Sequence, residues 1–226
     1  MDPILRVQTQ LGQRVLLLTT AVVPLTGWTV HAVALHRRLA AAQKDPLTGL
    51  LRRDAYTVRA RQVLRRGGED ATVVLVDVDH FKQINDRFGH AVGDRVLAAT
   101  ASRLTTWAGK YGVVGRLGGD EFALTTRISP HRRRMCLDQL AVELSQPVDV
   151  GGGRLIGVGV SIGAATPDQV GTADLSLLQR AADAAMYAGK HTGAAVLADR
   201  DHASVPSING RRAGRPGTHH GLARAA

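Results

Sequence analysis

Two short acidic stretches carry the side chains best suited to chemistry. In "VGRLGGDEFALTT", residues 114–126, Asp120 and Glu121 follow directly on Gly118 and Gly119. In "VDVDHFKQIND", residues 76–86, Asp77 and Asp79 close an apolar run and Lys82 follows them. Residues at i and i+2 of a strand share a face, so Asp77 and Asp79 either point together at one site or leave one of them to cap the next helix. A single acidic pair makes a solvated turn or a cap. Carboxylates converging from two separate stretches repel each other strongly unless a cation lies between them. With hard oxygen donors and no Cys or His pair nearby, the ion suited to such a cluster is Mg²⁺, which completes its shell with water and substrate phosphates. Glycines beside the cluster let phosphate oxygens approach backbone N–H groups.

This chemistry requires the two stretches to be neighbouring strand ends. The β-branched run "ATVVLVDVD" (71–79) predicts a buried strand, and 111–126 predicts a hairpin turning at Gly118–Gly119, since glycine tolerates positive φ. Helices are expected over 50–66, over 81–107 in two pieces broken near Gly89 and Gly93, over 131–146 and over 174–191. A further strand is expected over 153–165 and a short one over 194–198. This order predicts an α+β fold of ferredoxin-like character, an antiparallel-containing sheet with helices packed mainly on one face. If the 71–79 strand lies beside the hairpin, Asp77 meets Asp120 or Glu121 at one edge.

The 226 residues allow one domain with extensions at both ends. Residues 15–35, "VLLLTTAVVPLTGWTVHAVAL", form an apolar run of membrane-spanning length, interrupted by Pro24 and Gly27. Arg14 precedes it, while His36, Arg37, Arg38 and Lys44 follow. That asymmetry predicts a single-pass anchor in a bacterial inner membrane with the remainder cytoplasmic. A hydrophobic helix packed on a partner, or a cleaved signal peptide, is the competing reading. The expected organisation is a hydrophobic helix and linker over 1–44, a folded domain over 45–199 and a disordered basic tail over 200–226. Cys136, the single cysteine, excludes an intrachain disulfide and a cysteine-based zinc cluster. A net charge of +10 fits an acidic partner such as a nucleotide. Low aromatic content argues against nucleic acid, and five of the 25 arginines lie in the tail.

Four ordered motifs, "DPLTGLLRR" (45–53), "DVDHFKQINDRFGHAVGD" (77–94), "RLGGDEF" (116–122) and "ADAAMYAGKHTG" (182–193), together resemble the GGDEF family of diguanylate cyclases. The resemblance spans about residues 43–199 and implies a nucleotidyl-cyclase-like fold. It implies condensation of two GTP into cyclic di-GMP with release of two pyrophosphates, across a homodimer in which each domain carries one GTP. It also implies two Mg²⁺ per active site, with Mn²⁺ as an alternative, held by Asp77, Asp120 and the Val78 carbonyl. Glu121 matches the position that helps activate the attacking 3′-hydroxyl, and Asp120 and Lys82 join it in the catalytic set. Asn85 and Asp94 match the guanine-reading pair. A carboxylate accepts from guanine N1–H and the exocyclic amine, whereas adenine has no N1–H to offer. His80, Phe81, Lys82, His90, Gly118, Gly119 and Lys190 match further substrate-binding positions, with the two glycines lying under the nucleotide.

Three positions depart from the family pattern. Ala194 stands where an arginine contacts phosphate, and losing a charge-assisted contact costs about 1.5–3 kcal/mol. Arg52 replaces an asparagine. The inhibitory "RxxD" would fall on "GKYG", Gly109 to Gly112, where neither charged residue is present. Product feedback through that site is therefore not expected. Ala194 also supports an alternative, a degenerate domain that binds GTP or cyclic di-GMP and signals through a partner.

Overall fold

The computed structural model describes residues 25–26, 28–39, 41–190 and 192–204. The chain falls into two compact units, Met1–Lys44 and Asp45–Ala226. In the first, helical backbone, labelled α1, is described at 25–26, 28–39 and 41–42. The expected single-pass membrane location is corrected here: among the described residues no helix is long and apolar enough to cross a membrane. Thr29, His31, His36, Arg37 and Arg38 further interrupt the apolar character of α1. Residues 15–24 and 27 of the proposed span lie outside the described residues.

The second unit runs, in chain order, β1 (Leu51–Arg52), α2 (Arg53–Gly67), β2 (Ala71–Val78), α3 (Phe81–Phe88), α4 (His90–Ala108), β3 (Val113–Gly118) and β4 (Glu121–Arg127). It continues through α5 (Arg133–Leu144), β5 (Val148–Asp149), β6 (Leu155–Ile156), β7 (Val160–Ala165), α6 (Pro167–Val170), α7 (Leu175–Ala188), β8 (Ala195–Leu197) and α8 (Arg200–Ser204). Six strands form one mixed sheet in the order β1-β3-β4-β2-β7-β8. β2 pairs antiparallel with both β4 and β7, while β1 joins β3 and β8 joins β7 in parallel. β5 and β6 make a separate two-stranded ribbon, so the strand expected over 153–165 is two strands.

All eight residues of β2 are buried. Val74, Val76 and Val78 pack with Val96, Leu97 and Leu104 of α4 and with Leu137 and Leu140 of α5. Val73 and Leu75 share the opposite core with Tyr56, Ala60 and Leu64 of α2 and Leu175 and Leu178 of α7. Helices therefore cover both faces, rather than mainly one as expected. The reason is visible in β2 itself, because a strand with one wet face alternates polar and apolar residues and this one does not.

Local chemistry sets the helix ends. The Asp174 carboxylate accepts the Leu177 amide at 3.0 Å and starts α7. Gly89, at φ 85°, separates α3 from α4. Gly93 makes no second break and lies inside α4. At the end of the described chain, Asp199 accepts the amides of Asp201 and His202 and caps α8. A short helix thus begins where the structureless tail was expected. Residues 205–226, including His219 and His220, lie outside the described residues.

Candidate active site

The register of β2 against β4 sets Asp77 directly opposite Glu121, and directly opposed residues project from the same face with Cβ atoms about 4.5–5.5 Å apart. One step further, the Val78 amide donates to the Asp120 carbonyl at 3.2 Å. The two acidic stretches therefore meet at one edge of the sheet. Asp77 is only 2 % exposed, and Asp120 and Glu121 are half-buried. Lys190 Nζ, just beyond α7, stands 3.5 Å from Asp77 Oδ1. That approach depends on Gly163 of β7, where an added Cβ would strike the Ala182 carbonyl oxygen and the Met186 amide. α7 consequently lies directly on the sheet and delivers Lys190 to its edge.

The donor types fit a hard divalent ion: carboxylates from Asp77, Asp120 and Glu121, with the Val78 carbonyl at the end of β2 next to Asp77. Among the described residues no three His, Cys, Asp or Glu side chains are gathered into a ready-made metal cage. An ion at this edge would take the rest of its shell from backbone, water and substrate, as Mg²⁺ characteristically does.

Gly118 and Gly119 form the hairpin as expected, yet not for the expected reason. Neither has a positive φ. An added Cβ at Gly119 would meet no atom within 4 Å, and at Gly118 only Glu121 Oε2 at 3.8 Å. Neither backbone conformation nor protein packing demands glycine here, so the open surface in front of the turn is what a side chain would change.

β2 passes directly into α3. His80 adopts a left-handed conformation, φ 54° and ψ 27°, and no other described non-glycine residue has positive φ. The first α-helical bond of α3 runs from the Ile84 amide to the His80 carbonyl at 3.1 Å. The amides of the opening turn, from Phe81 onward, have no side-chain cap. A helix start of this kind favours anions. Lys82 is exposed in the same turn, and Phe81 is half-buried against the core.

Asn85 lies one turn further along α3, about 6 Å up the axis from Phe81. Gly93 accommodates it, since an added Cβ there would run into Asn85 Oδ1. Asp94, the other residue matched to guanine reading, follows Gly93 on α4 and is exposed. His90 is exposed at the start of α4, and Ala194 is exposed just before β8.

Several residues at this site were not singled out by sequence reasoning. Arg116 Nη1 donates to Asp45 Oδ1 at 2.9 Å, while its Nε and Nη2 donate to the Gly119 carbonyl at 3.0 and 2.8 Å. Arg53 Nε and Nη2 donate to the Leu117 carbonyl at 3.2 and 3.0 Å. Both sides of Gly118 are thereby fixed by guanidinium groups. Asp45 also accepts the Thr48 amide and hydroxyl. Burial alone would raise its pKa, but the hydrogen bonds from Thr48 and Arg116 outweigh that and hold it below the usual carboxylate range. The Asp-x-x-Thr spacing was a usable turn signal. Nothing local links Asp45 to a guanidinium 71 residues away.

The family described as "Diguanylate cyclase, GGDEF domain" matches residues 42–195. A protein of Streptomyces ambofaciens, described as an uncharacterized 19.3 kDa protein in the repSA 5′ region, is 46% identical over 167 residues, covering 74% of this chain and 88% of that protein. Diguanylate cyclase DgcN of Escherichia coli is 36% identical over 165 residues, 70% of this chain but 40% of its own length. Among solved structures, the GGDEF domain of TpbB (or YfiN) from Pseudomonas aeruginosa superposes with a TM-score of 0.64 at 33% identity, covering 70% of this chain and 96% of that one. The coiled coil and GGDEF domain of DgcB from Caulobacter crescentus, solved in complex with c-di-GMP, gives a TM-score of 0.64 at 26% identity over 78% of this chain and 98% of that one.

Proposed function

The chain belongs to the diguanylate cyclase GGDEF-domain family, and on that premise we propose that it condenses two GTP into cyclic di-GMP, releasing two pyrophosphates, across two facing copies of the domain at 45–199. The observation that carries this reading is the β2–β4 register, which pairs Asp77 with Glu121 and brings Asp120 alongside Val78. Asp77, Asp120 and the Val78 carbonyl would hold two Mg²⁺. Divalent ions bound there polarise the α-phosphate and stabilise the departing pyrophosphate.

The remaining roles fall to the chain's own groups. Glu121 takes the proton from the 3′-hydroxyl of the GTP carried by the facing copy. The new O–P bond forms at the α-phosphate as the bond to pyrophosphate breaks. His80, Phe81 and Lys82 hold phosphate oxygens, largely through backbone amides. Lys190 brings positive charge to the same edge, where the terminal phosphates would lie. Gly118 and Gly119 leave room for the nucleotide, and Asn85 and Asp94 read guanine. His90 completes the substrate-binding set.

Purified protein given GTP and Mg²⁺ should form cyclic di-GMP, and Asp120→Ala should abolish it while GTP still binds. Ala194 favours a second reading, a binding module without turnover. Tight GTP binding by the wild type with no product would select it. Gly109–Tyr111 form a single 3₁₀ turn whose charge, Lys110, lies 4.9 Å over the Tyr111 ring. Cyclic di-GMP titrated against turnover should therefore show no high-affinity non-competitive plateau.

A further inference from the structure

Asp79 is 8 % exposed and its charge is not needed to build a strand. Its Oδ1 accepts the hydroxyl of Ser161, itself 1 % exposed, at 2.7 Å. Its amide donates to the Gly159 carbonyl at 2.9 Å. A Cβ added at Gly159 would stand 3.2 Å from Asp79 Oδ2 and 3.3 Å from Asp79 Cβ, so the glycine lets the carboxylate seat against the chain leading into β7. Backbone and side chain of Asp79 are gripped by the same neighbouring segment.

The next residue is His80, with its left-handed backbone. For an L-residue other than glycine that conformation is costly, and it persists where surrounding contacts over-determine it. The Ile84 amide, bonded to the His80 carbonyl, fixes the turn from the helix side. Asp79 fixes it from the strand side.

We infer that Asp79, seated on Ser161 and Gly159, is a positioning residue that locks the β2–α3 turn and so aims the opening amides of α3 at the phosphates of the substrate. The inference rests on the cyclase reading for the identity of that substrate. It assigns Asp79 neither to metal binding nor to the reacting atoms, and it gives Ser161 a role through Asp79 alone.

Calorimetric titration of the purified protein with GTP, inorganic tripolyphosphate and guanosine tests it. In Ser161→Ala and Asp79→Ala, affinity for GTP and for tripolyphosphate should fall together by about ten-fold, the scale of one misaligned charge-assisted contact. Guanosine, which has no phosphate, should bind as to the wild type. Asp79→Asn keeps the acceptor for the Ser161 hydroxyl and should restore most of the loss. In turnover, KM for GTP should rise while kcat stays within about three-fold.

Equal weakening of guanosine and tripolyphosphate would overturn the inference. Wild-type affinities in both alanine variants, or a collapse of kcat at unchanged KM, would do so too. The binding titrations remain readable in a protein that makes no cyclic di-GMP, so loss of the cyclase reading and loss of this inference are separate results.

Discussion

Arg116 and Asp45, 71 residues apart, form an ion pair at 2.9 Å, and the same guanidinium holds the Gly119 carbonyl. The first residue of "DPLTG" is therefore tied to the turn that carries Asp120. The pair also has a pH signature. Because, despite burial, the hydrogen bonds from Thr48 and Arg116 hold the Asp45 carboxyl of the folded protein below its ordinary range, the unfolded chain takes up the proton first as pH falls. The stabilisation is fully present above about pH 4 and fades as pH drops through the lowered folded value. Thermal melts of the wild type and Asp45→Asn should differ at pH 6 and converge toward pH 3. A constant difference at both pH values would contradict this.

Gly118 and Gly119 separate folding from binding. Their φ values are not positive and an added Cβ meets at most an ordinary contact, so Gly119→Ala should leave stability within about 0.5 kcal/mol of the wild type. A methyl group in the path of a nucleotide should nevertheless weaken GTP binding at least ten-fold. Paired melts and GTP titrations check this. A large drop in melting temperature would show that the turn needs glycine for itself.

Gly93→Ala acts on the opposite part of the site. The new methyl group displaces the Asn85 amide from its place against α4. Discrimination between GTP and ATP should shrink, with KM for GTP raised and that for ATP little changed. An unaltered GTP preference would remove Asn85 from guanine reading.

Much of this was legible along the chain, element by element. "ATVVLVDVD" showed a buried strand, and its lack of alternation already held the information that both faces are covered. The hairpin and the acidic edge followed from Gly118–Gly119 and from the two clusters. Gly93 was misread as a helix break because its cause, the Asn85 side chain, comes from a different helix. The same holds for Gly163 under α7, for Ser161 beneath Asp79, and for Arg116 on Asp45. These contacts join residues with no local spacing to announce them. The apolar run at 15–35 was weighed by composition, and among the described residues no helix is long and apolar enough to cross a membrane.

In the proposed cyclase, Asp77 and Asp120 serve one reaction centre. Product analysis of GTP incubated with Mg²⁺ and either the wild type, Asp77→Asn or Asp120→Asn tests it most directly. The wild type should give cyclic di-GMP and each variant at least a hundred-fold less, a scale typical of lost electrostatic stabilisation, with melting temperatures retained. Sustained product formation by either folded variant would contradict it.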